Sequence, residues 1–147
     1  MKTTLYAAFA TMIVLASCRP GVKPIDYALD KCDHCHMSIV DKQFGCEIVS
    51  QKGKVFKFDS VECMVNYIHV TNMDEASLAH IVTNTLDKPA ELLDAKSAVY
   101  LVSENMPSPM GMDINPFFGP ENASKHQSEN GGVIYSWVQL QKYVRGE

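Results

Sequence analysis

The sequence has no surplus of positive charge. Its 13 lysines and arginines are outnumbered by 17 acidic residues, for a formal net charge of −4, and no basic stripe runs along it; that balance argues against nucleic-acid binding. It also lacks an apolar run that comfortably spans a bilayer, because Leu5 to Leu15 is only about as long as the core of a signal peptide. Helical periodicity is scarce, with one convincing amphipathic repeat, and there is a single C-x-x-C pair, Cys32 and Cys35. Structural zinc sites want four ligands and are usually built from two such pairs, so this scarcity argues against one.

What is present begins at the N-terminus. Met1-Lys2 and the apolar run lead directly into Leu15-Ala16-Ser17-Cys18, which resembles the bacterial lipobox, in which the cysteine is acylated and becomes the mature N-terminus. The expected organisation is a lipoprotein signal peptide over residues 1–17, a lipid-anchored tether over 18–30 containing Pro20, Gly21 and Pro24, and a domain over 31–147. Acyl chains on Cys18 would hold the protein at a membrane with no transmembrane helix. The absence of Asp after Cys18 favours the outer membrane. Loss of residues 1–17 leaves 130 residues, the size of one domain, and takes the charge to −5 through loss of Lys2. Four thiols then remain: Cys32, Cys35, Cys46 and Cys63.

Strand patterns dominate the remainder. Phe44 to Ser50 alternates, Gln51 to Lys54 turns the chain, and Val55 to Phe58 returns it as a hairpin. Asp59 and Glu62 have capping-box spacing, and Val61, Met64, Val65 and Ile68 follow at helical intervals to about Val70. Leu78 to Asn84 and Ser97 to Ser103 read as strands, Glu121 to Glu129 as a polar helix stopped by Gly131-Gly132, and Val133 to Val138 as a last strand before a short helical tail. The expected fold is α+β, with two ββαβ-like halves packed as a single domain and the inner strand of the second half poorly defined.

The stretch KCDHCHMSI, residues 31–39, carries the chemistry. It matches the C-x-x-C-H pattern of haem attachment, with His36 as proximal and Met110 as a possible distal ligand. Small monohaem cytochromes are helical, whereas this chain is mostly β-patterned. A thiol oxidoreductase would place the pair between a buried strand and a helix, and neither flank has that character. The remaining reading is a Cu(I) site, since that ion prefers thiolate and thioether donors in low coordination. Cys35 would supply the charge, Met37 a neighbouring thioether, and Met110, held between Pro109 and Gly111, a distant one. Cys46, on an apolar strand face, reads as a small buried hydrophobe, Cys63 as either core or ligand, and His36 as solvent-facing in an extended segment.

These residues occur in a recognisable succession: Asp30-x-Cys32-x-x-Cys35-x-Met37-x-Ile39, then Gly53-x-Val55 to Phe58-Asp59-x-x-x-Cys63, then Pro109-Met110-Gly111 with Phe117, and finally Gly131-Gly132. The succession resembles the NosL family, copper-binding accessory lipoproteins of nitrous oxide reductase maturation. The resemblance implies a non-enzymatic periplasmic copper chaperone, anchored to the cell membrane. It further implies delivery of Cu(I) to nitrous oxide reductase with an ABC-type transporter complex and its periplasmic subunit. Carried over to this chain, it places metal ligands at Cys35, Met37 and Met110, with Cys32 as a further candidate.

Overall fold

The computed structural model describes residues 20–147; the expected signal peptide over 1–17 and the expected acylation site Cys18 lie outside the described residues. The chain runs as strands β1 (Cys46–Ser50) and β2 (Val55–Phe58), helix α1 (Val61–Val70), strands β3 (Leu78–Thr85), β4 (Lys88–Asp94), β5 (Val99–Val102) and β6 (Ile114–Phe117), helix α2 (Pro120–Asn130), strand β7 (Val133–Tyr135) and helix α3 (Trp137–Arg145). The fold is α+β. Each half contains a ββαβ run, and in both the strands are ordered second, first, third: β2-β1-β3 and β6-β5-β7, all antiparallel. The first half adds β4 at its edge and the second adds α3.

The two sheets meet where Leu86, just past β3, donates its N–H to the carbonyl of Pro116 in β6 at 2.9 Å. One core joins them. Cys46, Ile48 and Phe58 from the first sheet and Met64 from α1 belong to the same buried cluster as Tyr100 and Leu140 from the second half. The Tyr100 hydroxyl is satisfied there by the carbonyl of Ala95 at 2.6 Å, as a buried phenol requires.

The opposite face of the first sheet is covered by the chain's own residues 20–30. Lys23 N–H donates to Glu47 at 2.7 Å, Lys57 Nζ donates to the carbonyl of Pro24 at 2.7 Å, and His80 Nε2 lies 2.9 Å from the carbonyl of Pro20. Glu47, on the polar side of the β1 alternation, is therefore fully buried. Gly45 permits this close approach, because a Cβ there would lie 2.7 Å from Asn84 Oδ1 and 2.9 Å from Ile25 Cδ1.

Four local expectations need correction. β4 was not expected, because its polar, largely exposed residues and Pro89 suit an edge strand and carry no alternating signal. β6 lies within a stretch that reads as irregular; it is four residues long and includes Pro116, yet every residue is buried. The last strand stops at Tyr135, and Ser136 with Gln139 forms a capping box that starts α3 as a nine-residue helix. The N-cap of α1 is Ser60 and not Asp59: Ser60 is extended (φ −158°), and its hydroxyl accepts the N–H of Cys63.

Candidate metal centre

The C-x-x-C stretch is a closed turn. Lys31 bridges to Ser38, Cys32 donates its N–H to the carbonyl of Met37 at 2.8 Å, and His36 donates to the carbonyl of Cys32 at 2.9 Å. His36 takes a left-handed conformation (φ 64°) to make this reversal and is exposed; the expected extended run is thus a tight loop. The loop aims the N–H of Cys35 at the sulfur of Cys32, 3.5 Å away. Cys32 is fully buried while Cys35 is partly exposed. Haem attachment at this pair would require unpacking Cys32 from the core.

The one-residue displacement of the α1 cap redirects two carboxylates. With Ser60 as cap, Cys63 occupies the third helical position, and its side chain faces the C-x-x-C loop. Asp59, freed from capping, accepts a hydrogen bond from the Cys35 thiol at 3.4 Å. Donor atoms of Cys32, Cys35, Asp59 and Cys63 all lie within 4.8 Å of one another. A group with one C-x-x-C and one helix turn therefore supplies four candidate ligands, so the absence of a second C-x-x-C does not exclude a four-donor site. Asp59 and Cys63 extend the expected set; the helix places them together, and their spacing on either side of the cap was the signal for it.

The three thiols are electrostatically distinct. Cys32 is lowered to about 6, chiefly because the Cys63 thiol donates to it, with N–H groups of Cys35, Asp59 and His34 adding to the effect. Cys35 is raised to about 11, mainly by burial. Cys63 is held well above the usual thiol range, first because its protonated form is stabilised by the neighbouring Cys32 sulfur and then because it is buried near Asp59. These shifts favour the thiolate form at Cys32 and the protonated form at Cys35 and Cys63, with the Cys35 thiol hydrogen-bonded to the Asp59 carboxylate.

A cleft of about 170 Å³ opens beside these donors, lined by Asp59, Met37, Val40 and Pro109 among others. Met37 is 48% exposed at its edge. Met110 is half-buried and packs against the core cluster that contains Cys32 and Cys63. Of the other loop methionines, Met106 packs in a separate cluster with Leu101 and Phe117, and Met112 packs against the same core cluster as Met110 but lines a different cleft. Cys46 is a core residue, its thiol bonded to the carbonyl of Phe44 and close to Thr83, outside the four-donor group.

Fold and site together define a small two-sheet protein with a thiol-rich centre that could hold a soft metal. The NosL family profile matches residues 27–144, and the chain belongs to the NosL family. The crystal structure of the copper chaperone NosL from Shewanella denitrificans has the same fold, with a TM-score of 0.69 at 19% identity over 82% of this chain and 95% of that one. No curated protein matches the chain in sequence.

Proposed function

We propose that this protein is a lipid-anchored, periplasm-facing Cu(I) chaperone that delivers copper during assembly of nitrous oxide reductase. It would work with the ABC-type transporter complex and the periplasmic subunit of that assembly machinery. The observation that carries this reading is the thiol-rich donor group beside a narrow cleft whose lining includes Met37 and Pro109. Family membership supports it, as does the description of the Shewanella denitrificans protein as a copper chaperone.

Cys35 and Met110 hold the ion in this reading, with Cys32 and Met37 as further candidate donors of a low-coordinate site. Thioethers suit a compartment that oxidises thiols, since they bind without losing a proton and cannot form disulfides. An under-coordinated ion lets an acceptor's donor enter through the cleft before Met110 leaves, so transfer proceeds by ligand exchange with no free copper. Acylation at Cys18 would leave only Arg19 between the anchor and Pro20, whose carbonyl is already tied to His80.

The test is a competition titration of the reduced mature protein with a chromogenic Cu(I) chelator, together with absorption spectra after expression in a host that matures c-type cytochromes. A colourless protein that withdraws one Cu(I) from the chelator is the expected result. A reduced haem band, or failure to compete for Cu(I), overturns the reading.

A further inference from the structure

Among the described residues, one buried side-chain hydrogen bond ties α1 to the loop that carries Met110: Ser108 Oγ donates to Glu62 Oε1. Glu62 is 2% exposed and Ser108 is 9% exposed. Among the described residues no cation pairs with this carboxylate, and its second oxygen is buried without a partner there. A methionine or leucine at this first-turn position would avoid that desolvation cost. The carboxylate therefore needs an explanation beyond stability, and its partner supplies one.

Ser108 opens the turn Ser108-Pro109-Met110-Gly111, closed by a hydrogen bond from Gly111 N–H to the carbonyl of Ser108 at 3.1 Å. Pro109 at the second position stiffens this turn. Fixing Ser108 therefore fixes where Met110 sits. Glu62 directly precedes Cys63, so a single turn of α1 holds both a thiol of the metal group and the loop that brings the thioether.

We propose that Glu62 and Ser108 form a latch that positions Met110 at the copper site: closed, it keeps the thioether on the ion; opened, it lets the turn withdraw so that copper passes to the acceptor. Glu62 is a positioning residue here, acting through Ser108 on Met110. The inference rests on the assignment of Met110 as a ligand.

The experiment uses the Cu(I)-loaded mature protein and two readouts, sulfur coordination by X-ray absorption and the rate of Cu(I) transfer to bicinchoninate. Ser108→Ala should lose a thioether from the copper shell and release copper roughly tenfold faster, at the lower end of the ~10–100-fold effects of outer-shell changes at metal sites. Ser108→Thr, which keeps the hydroxyl, and Glu62→Gln, which keeps an acceptor, should both stay close to wild type. The double variant Glu62→Met with Ser108→Ala replaces both polar partners by apolar ones, which can be nearly neutral for folding; it should behave like Ser108→Ala while unfolding at a temperature near that of wild type. Wild-type coordination and release in the folded double variant, with Met110→Leu altering both, overturns the latch alone. Unchanged coordination in Met110→Leu overturns the ligand assignment and the latch together.

Discussion

The sulfur of Cys63, on the first turn of α1, lies within 4.8 Å of the sulfur of Cys32, in the C-x-x-C loop, and this proximity separates the charge states of the three thiols at the candidate centre. Cys63→Ala removes the donor, so the Cys32 value should climb from about 6 back toward the ordinary thiol range. Ultraviolet thiolate absorbance of the reduced, metal-free protein near neutral pH measures this directly. Wild type should show one thiolate and the variant close to none.

The same shifts set the pH dependence of stability. The folded value for Cys32, about 6, lies below the ~8.5 of an unfolded thiol. Its stabilisation is therefore fully present above the unfolded value and disappears as pH falls through about 6. Cys35, raised to about 11, has the opposite sign: its contribution is present below the unfolded value and is lost as pH rises toward 11. Denaturant melts of the reduced metal-free protein should show stability rising from about pH 6 to ~8.5 and falling beyond it. Cys32→Ser should flatten the rising limb.

Cys35→Ser should weaken Cu(I) binding by about a hundredfold or more, and Met110→Leu by about tenfold, at or above the ~10–100-fold typical of outer-shell changes. Both variants should keep the circular-dichroism spectrum of wild type, because Cys35 is at the surface of its loop and Met110 is only half-buried. Competition titrations give the affinities, and an unchanged value for Cys35→Ser would remove it from the ligand set.

His36 satisfies the haem pattern in sequence, but in the folded chain it is an exposed residue at φ 64°. His36→Asn retains a side chain tolerant of the left-handed region and removes the imidazole. Cu(I) affinity should stay unchanged, and a marked loss would place the imidazole on the metal.

Gly132 joins α2 to β7 at φ 98°, where an added Cβ would lie 2.2 Å from the carbonyl oxygen of Val102. Gly132→Ala should cost about 2–3 kcal/mol through combined backbone strain and overpacking, read from urea melts. Gly132 is outside the four-donor group and does not line the cleft beside it, so Cu(I) affinity of the folded fraction should be unaffected.

Much of the fold was legible because its cues are local. The β1–β2 hairpin, the α1 repeat ending at Val70 and the Gly131-Gly132 stop after α2 all appear where periodicity and turn residues place them. β4 and β6 were hidden for opposite reasons. One is an exposed edge with polar residues, and the other is a buried four-residue strand containing Pro116, held only by partners elsewhere in the chain.

The sequence alone determines which soft sulfur side chains are available, Cys32, Cys35, Met37 and Met110 among them, and the family to which the chain belongs. Tertiary structure alone decided that Asp59 and Cys63 join Cys32 and Cys35, that Cys46 does not, and that Ser108 ties the Met110 loop to Glu62. The physical reason is the cap of α1. Asp59 and Ser60 can each cap a helix, and only the packed chain, with a loop of thiols beside that turn, makes Ser60 the cap and leaves the neighbouring acids free for the site.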